Sequence, residues 1–296
     1  MITIRTKAEM HAHTAAARAA GRRIGLVPTM GAFHAGHHAL MRAARAACDE
    51  VVVSLFVNPA QFDEASDLAA YPRTEERDAA EAAWLGVDVL FAPSPEEVYP
   101  AGFATSVRVE GLSDVFEGAE RGPGHFAGVC TVVAKLLNVV APDVAYFGQK
   151  DAQQVAVLRR MVTDLDLPVA LEVVETVREP DGLAMSSRNV RLDAGERERA
   201  LALSRALRAA GAALGEGERD AAAVRAAALA AMARFDVEPE YLALVDPDTF
   251  SPVATVNGRV LVAVAARVGD TRLIDNALFQ TRGGDPDTAP TITKEP

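Results

Sequence analysis

Residues Ile24 to Val57 read I-G-L-V-P-T-M-G-A-F-H-A-G-H-H-A-L-M-R-A-A-R-A-A-C-D-E-V-V-V-S-L-F-V, and no other stretch restricts the fold so strongly. An apolar run, Ile24 to Val27, ends at Pro28. A loop carrying Gly31 and Gly36 follows, and then an Ala/Leu/Arg pattern of helical character. Val51 to Val57 is a second apolar run whose β-branched content and length predict a buried strand. Strand, loop, helix and strand within about 35 residues make one βαβ unit of a parallel sheet. Ligands of such units settle at the carboxyl ends of the strands, beside the helix N-terminus.

His34 and His37 fall in that loop-to-helix corner as H-A-G-H. A helix start offers unpaired N–H groups and the positive end of the helix dipole, so it attracts phosphate. Gly31 and Gly36 remove side chains where a nucleotide must approach the backbone. The two histidines are three residues apart and share a face once the helix has begun. Their imidazoles can donate to triphosphate oxygens, most strongly as charge develops in a transition state. The H-x-G-H pattern resembles the signature of nucleotidyltransferases. By themselves the four letters leave a pair of loop histidines or a partial metal site open. His38, one position off the pair's face, is read as an ordinary helix residue.

The 296 residues suffice for a sizeable core and two domains. A net charge of -11 argues against a nucleic-acid partner, which needs a positive surface, but not against a nucleotide in a local positive pocket. The two cysteines, Cys48 and Cys130, lack metal-ligand spacing and point to a reducing, cytoplasmic setting. No apolar run is long enough for a membrane span, and M-I-T-I-R-T-K lacks the apolar core of a secretion signal. The expectation is a soluble protein. Only four lysines (Lys7, Lys135, Lys150, Lys294) stand among 30 basic residues, so a lysine in a motif-like context stands out.

The chain begins with a short strand, Ile2 to Ile4, and an Ala-rich helix around Lys7 to Ala20. After the βαβ unit, Asn58-Pro59 stops the strand and leaves Gln61 beyond its carboxyl end, as a substrate amide or a turn residue. Thr74 is placed to cap a helix from about Glu75 to Leu85, with Asp78 in its first turn as a dipole-favoured surface acid. Val87 to Phe91 is the next buried strand. The segment E-R-G-P-G-H-F-A-G-V holds Arg121 and His125 in a loop leading to a helix, Val129 to Val140. Lys135 within that apolar helix reads as a snorkelling or interface residue.

Asp143 to Phe147 is another strand, followed at once by G-Q-K-D-A-Q-Q. This repeats the strand-to-helix geometry at His34. Lys150 is suited to phosphate and Asp151 to ribose hydroxyls, while Gln154 lies one helical turn beyond Lys150. A plain surface helix start would look much the same. Leu171 to Val177 is a strand, after which Ser186, Ser187 and Arg188 bunch two hydroxyls and a guanidinium, as a phosphate clamp or a simple helix cap. From Asp193 the texture changes to two helices (about 194 to 213 and 218 to 234) and short strands at Glu240–Val245, Arg259–Val264 and Arg272–Asp275. The fold class is therefore α/β: a Rossmann-like parallel-sheet domain over residues 1–176 and a smaller α+β domain over 177–282. Residues 283–296 have the composition of a disordered tail. No repeat of period 20 to 50 occurs.

Five segments stand in order: P-T-M-G-A-F-H-A-G-H, F-V-N-P-A-Q-F, Y-P-R-T, F-G-Q-K-D-A-Q-Q and D-G-L-A-M-S-S-R-N. Together they closely resemble the pantothenate synthetase family, which joins pantoate to β-alanine using ATP. Y-L-A-L-V-D-P-D-T-F and A-R-V-G-D-T-R-L-I-D-N are similar to that family's small domain, so the likeness covers nearly the whole chain apart from the tail. It implies a pantoyl-adenylate intermediate, with release of pyrophosphate and then AMP, and no covalent enzyme intermediate. It further implies that His34, His37, Lys150, Ser186, Ser187 and Arg188 hold phosphates. Gln61 and Gln154 would bind pantoate, with Pro28, Thr29, Asn58 and His125 on the substrate side. Gly31, Gly36, Gly148, Asp151, Val177 and Met185 would lie along ATP. Met30 goes with the nucleotide and also lines the pantoate pocket. Asp78 would help place Mg²⁺, and the protein would be a homodimer.

The chain departs from that pattern at four places. Ala60 stands where Met is usual, Ala152 where Tyr is usual, and His38 where the family has an apolar residue. R-G-P-G-H replaces R-P-G-H, which shifts Arg121 by one position. Two other functions compete. One is a nucleotidyltransferase that stops at the nucleotide-linked product, against which Gln61, Gln154 and the small domain count. The other is a nucleotide-sensing protein without catalysis, against which the intact phosphate set counts.

Overall fold

The computed structural model describes residues 1–62, 68–69, 71–122 and 124–281. Contacts divide the chain into two compact units, the first Met1–Val177 and the second from Arg178 onward. The first contains β1 (Ile2–Ile4), α1 (Lys7–Ala19), β2 (Ile24–Thr29), α2 (Ala35–Ala47), β3 (Glu50–Leu55), α3 (Glu75–Trp84) and β4 (Val89–Phe91). Two short helices, α4 (Pro95–Val98) and α5 (Glu117–Arg121), precede α6 (Gly124–Val140), β5 (Val144–Gly148), α7 (Ala152–Asp164) and β6 (Ala170–Val174).

The six strands form one parallel sheet in the order β1-β4-β3-β2-β5-β6. Its two faces follow from the period of two along each strand. Ile24, Leu26, Val52, Val89 and Ala145 pack with residues of α1, α6 and α7. Their neighbours Val27, Val51, Val53, Leu90 and Val144 pack with Leu40, Met41 and Ala44 of α2 and Ala82 of α3. Both faces are covered, which is why these strands read as continuous apolar runs.

Successive strands grow outward on either side of β2, so the direction of winding reverses between β2 and β5. That reversal is where open parallel sheets bind ligands. The pairing of β2 with β5 covers only Gly25↔Val144 and Leu26↔Ala145, whereas β2 pairs with β3 along its full length. Beyond Leu26 the two central strands part, which opens the carboxyl edge. Pro28 therefore lies inside β2 rather than ending it: its missing N–H falls where β5 no longer pairs.

Other expected boundaries shift for physical reasons. The strand expected to reach Val177 ends at Val174, whose partner Gly148 is the last residue of β5; Val177 lies outside the strand, half-buried. The helix expected from Val129 begins at Gly124, which brings His125 into its first turn. Its glycines suggested a loop, but Gly128 packs against the Ala60 backbone, where a Cβ would fall 2.1 Å from the carbonyl oxygen. Lys135 lays its ammonium over the Phe103 ring, 4.5 Å from the centroid.

The second unit consists of α8 (Ala194–Gly215), α9 (Ala221–Ala233), β7 (Pro239–Val245), β8 (Arg259–Val268) and β9 (Thr271–Gln280). The strands form an antiparallel sheet in the order β7-β8-β9. Leu203, Leu207 and Ala210 of α8 and Val224 of α9 form a core with Val260, Val262 and Val264 of β8. β9 is longer than expected because buried polar residues, Asp275 and Asn276, sit at its centre and interrupt the apolar pattern. Residues 283–296, expected to be a disordered tail, lie outside the described residues.

Candidate active site

At the carboxyl edge of β2, His34 is the N-cap of α2 in an extended conformation. Its Nδ1 accepts the backbone N–H of Gly36 at 3.1 Å. The Nδ1 of His37 accepts the backbone N–H of His34 at 3.3 Å. The two imidazoles thus form a reciprocal capping box, a role usually filled by Ser or Thr with Glu. The tautomer follows: a ring that accepts at Nδ1 in its neutral form carries its proton on Nε2. Each histidine therefore has an Nε2–H to donate. The ring centroids are 4.1 Å apart.

Gly36 is required by this arrangement, since a Cβ there would lie 2.9 Å from His34 Cε1. Burial first, then the charges of His34, His38 and Lys150, push the His37 imidazole down from 6.5 to about 3. At neutral pH His37 is a neutral donor. Gly31 (φ +89°) and Ala32 (φ +54°) lie side by side in the left-handed region, and alanine there is strained.

Gln61 belongs to a single 3₁₀ turn, Pro59–Gln61, beyond β3. Its amide Nε2 approaches Met30 Sδ at 3.1 Å, so the structure brings these two candidates together. Asn58 is buried and orients that amide: its Nδ2 donates to Gln61 Oε1 at 3.1 Å and to the Gly128 carbonyl at 3.1 Å. Asn58 Oδ1 in turn accepts from the Tyr99 hydroxyl at 2.8 Å. His125 Nδ1 lies 3.0 Å from the Gln61 carbonyl oxygen and braces the same turn from α6. Thr29, expected on the substrate side, commits its hydroxyl to the Ser54 carbonyl at 2.6 Å and is buried.

Lys150 and Asp151 stand at a helix start, as expected: they belong to a 3₁₀ turn, Gln149–Asp151, that runs directly into α7, whose N-cap is Asp151. Lys150 Nζ lies 3.7 Å from Asp151 Oδ1. Gly148 ends β5 with open space around the position of a Cβ. Gln154 is half-buried in the first turn of α7, while the adjacent Gln153 is buried and holds the Leu112–Glu117 segment through both ends of its amide. Arg121, whose register was shifted, pairs with Glu117 at 3.2 Å.

Asp78 is the largest correction. Expected as a surface acid or a Mg²⁺ partner, it is wholly buried. Oδ2 accepts the Ala32 N–H at 2.8 Å and the Thr74 hydroxyl at 3.0 Å, and Oδ1 accepts the Phe33 N–H at 3.0 Å. Thr74 thus serves Asp78, and makes no side-chain cap to the backbone of α3. His38, given no role from sequence, bonds Glu81 of α3 at 2.8 Å.

In the second unit, Ser186 caps a 3₁₀ turn, Ser187–Arg191, by accepting the Arg188 N–H at 3.2 Å. Met185, Ser186, Ser187 and Arg188 are half-buried. Buried Asn189 fastens the turn by donating to Glu179 Oε1 at 2.6 Å and to the Ala184 carbonyl at 3.0 Å. Glu179 and Asp181 are held in turn by Arg197.

A parallel sheet that reverses its winding beside a helix capped by two imidazoles, with a lysine in the loop after the neighbouring strand, defines a nucleotide-using α/β enzyme of the Rossmann-like class. The pantoate-beta-alanine ligase family model matches residues 2–278. The chain belongs to that family. A pantothenate synthetase of Moorella thermoacetica is 52% identical over 281 residues, covering 95% of this chain and 99% of the relative. One from Acidobacterium capsulatum is 57% identical over 259 residues, covering 87% and 86%. The crystal structure of the pantothenate synthetase from Thermus thermophilus superimposes with a TM-score of 0.88 at 47% identity, over 94% of this chain and 99% of that one. The pantoate-beta-alanine ligase of Francisella tularensis, solved in complex with Beta-gamma ATP and Beta-alanine, gives 0.77 at 33% identity, over 94% and 97%.

Proposed function

We propose that the imidazole pair at the start of α2 is the phosphate-activating centre of this ligase. The reaction is the ATP-dependent condensation of pantoate with β-alanine. The pantoate carboxylate attacks the α-phosphorus, and the bond to the bridging oxygen of pyrophosphate breaks. The β-alanine amine then attacks the acyl carbon, loses a proton, and AMP leaves with the former carboxylate oxygen.

The observation that carries this reading is the tautomer fixed at both histidines. With each Nδ1 held by a backbone N–H, His34 and His37 present preorganised Nε2–H donors that need no reorganisation as charge builds on phosphate oxygens. Lys150 adds a positive charge at the end of β5. Ser186, Ser187 and Arg188 are the second unit's phosphate-binding turn, and Met185 and Val177 serve the nucleotide. Gly148 and Asp151 serve the adenosine, Asp151 through ribose hydroxyls, and Gly31 and Gly36 keep the backbone of the corner approachable. Gln61, oriented by Asn58 and His125, and Gln154 take pantoate against Met30. The roles of Pro28 and Thr29 reduce to the shape of the strand end, since the Thr29 hydroxyl is already used.

A Mg²⁺ site on the protein does not fit Asp78, whose two oxygens already accept three bonds in full burial. Among the described residues, no group of three or more His, Cys, Asp or Glu is arranged to hold a metal. Mg²⁺ enters as part of the substrate, the magnesium complex of ATP. The homodimer rests on the family resemblance. The cytoplasmic location is supported by Cys48 and Cys130, which are buried and unpaired, and no helix among the described residues is long and apolar enough to cross a membrane.

The test is pantoate-dependent exchange of labelled pyrophosphate into ATP without β-alanine. The parent exchanges only when pantoate is present. In His34→Ala, kcat for exchange falls by about 10²-fold or more, the scale for losing a transition-state donor. An alanine variant that turned over like the parent would remove His34 from the chemistry.

A further inference from the structure

We infer that Asp78 is the positioning carboxylate of the His34–His37 corner, acting through the backbone and not through a cation. The inference rests on the assignment of that corner as the phosphate-activating centre.

Three observations converge on it. First, the carboxylate spans two consecutive amides, with Ala32 N–H on Oδ2 and Phe33 N–H on Oδ1, immediately before the N-cap His34. These are the amides of a segment that a free chain would rarely adopt, because Ala32 must hold φ at +54° directly after Gly31 at +89°. The bidentate carboxylate offsets that strain, and both orphan donors are satisfied in a fully buried place where water cannot replace it. Second, the fit is tight. A Cβ at Gly31 would stand 2.9 Å from Asp78 Oδ2, so the residue at 31 is constrained by the carboxylate as much as by any ligand.

Third, the rest of the same α3 face grips the same corner. Arg77 donates to the Phe33 carbonyl at 2.8 Å and also holds Glu81, which bonds the His38 ring at 2.8 Å. Amide, carbonyl and ring of the 32–38 segment are thus all tied to one helix that lies about 45 residues away in sequence. His34 and His37 make their reciprocal bonds on a backbone whose entry angle α3 determines. Asp78 touches neither ring; its effect on them passes through the backbone of Ala32 and Phe33.

The isosteric Asp78→Asn exchange tests this, because its amide can accept from one backbone N–H but turns a donor against the other. With the exchange assay, kcat falls by about tenfold to 10²-fold, the scale of a misplaced catalytic group, with a smaller rise in KM for ATP. The Mg²⁺ concentration for half-maximal rate stays within about twofold of the parent, and the double variant Asp78→Asn/Ala32→Gly recovers part of the lost kcat, since glycine reaches the left-handed conformation without help. A cation-ligand role predicts the opposite: a raised Mg²⁺ requirement, rescue at saturating Mg²⁺, and no benefit from Ala32→Gly. That result, or an unchanged kcat, overturns the inference. Thr74→Val is the second variant should Asp78→Asn not fold; it removes only the hydroxyl bond to Oδ2, and it lowers kcat by about two- to fivefold at unchanged Mg²⁺ requirement. Parental kcat in Thr74→Val overturns the inference equally. Absence of pantoate-dependent exchange in the parent would instead defeat the assignment of the corner itself.

Discussion

The two turns proposed to hold phosphate, one in each unit, are held in opposite ways. The His34 corner in the first unit is held by backbone groups: amides on Asp78, a carbonyl on Arg77, ring nitrogens on amides. The Ser186 turn in the second unit is held by side-chain charge: Asn189 on Glu179, and Arg197 across Glu179 and Asp181, with Arg178 of the same segment locked on Asp275 of β9. Backbone ties to a buried carboxylate are rigid and little affected by salt. Ion pairs that are a third exposed are soft and easily screened. The difference suggests a fixed donor pair in one unit and a more yielding clamp in the other, and each tie can be cut separately.

The largest effect should come from a charge pair in the second unit that is not soft. Asp275 is only 2% exposed, accepts both Arg178 Nη1 at 2.7 Å and Nη2 at 3.0 Å, and also takes the Asn276 N–H. Arg178→Met leaves a buried carboxylate without its cation, and stability should drop by about 3 kcal/mol, the lower end for breaking such pairs because Arg178 is partly open to water. Denaturant titration of the variant measures it. A midpoint equal to the parent's would mean that Asp275 is neutral in the fold and the pair is not what anchors this turn.

On the other side of the comparison, the neutral state of His37 gives a pH signature. The unfolded chain binds a proton at His37 near 6.5, while in the fold burial, and next the neighbouring His34, His38 and Lys150, hold the ring neutral down to about 3. Between those values the unfolded state carries more protons, so stability falls as pH drops from about 6.5 toward 3 and is flat above. His37→Gln should flatten that limb of the melting-temperature profile, by less than Arg178→Met costs because the His37 ring keeps some contact with water. Imidazole NMR gives the direct check: a His37 ring that titrates near 6.5 would contradict both the tautomer and the burial.

What could be read in advance divides along similar lines. The β2–α2–β3 unit and the H-A-G-H corner were legible because they are local: two continuous apolar runs, a glycine-bearing loop and a helix start lie within one stretch. Ser186 was legible as a cap but not for the right element: it caps the short turn Ser187–Arg191, while Asp193 caps the helix that follows Leu192. Asp78 was not legible, since its partners Ala32 and Phe33 stand about 45 residues away and only the folded sheet brings α3 over them. The bond from the Thr29 hydroxyl to Ser54 was hidden for the same reason, since nothing local reveals the neighbouring strand. The true length of β9 was hidden by Asp275 and Asn276, which look like a strand's end until Arg178, nearly a hundred residues earlier, neutralises the aspartate. Gly128 suggested a loop, although its missing side chain is what lets α6 lie on the Gln61 turn.

The smallest expected effect sharpens the contrast most. Arg197 donates to Asp181 at 2.7 Å and 3.0 Å and also to Glu179, yet its side chain is 35% exposed and that of Asp181 is 32% exposed. Water and salt therefore compete for every one of these bonds. Arg197→Met should cost less than about 1 kcal/mol in stability, and that cost should shrink further on raising salt to about 0.5 M. Asn189, which bonds Glu179 and the Ala184 carbonyl independently of Arg197, keeps the Ser186 turn in place in the variant, so KM for ATP should rise no more than about twofold. A loss of several kcal/mol that persists in high salt would show that the network behaves as a buried unit like the Asp78 pin, and the distinction between a rigid corner and a soft clamp would collapse.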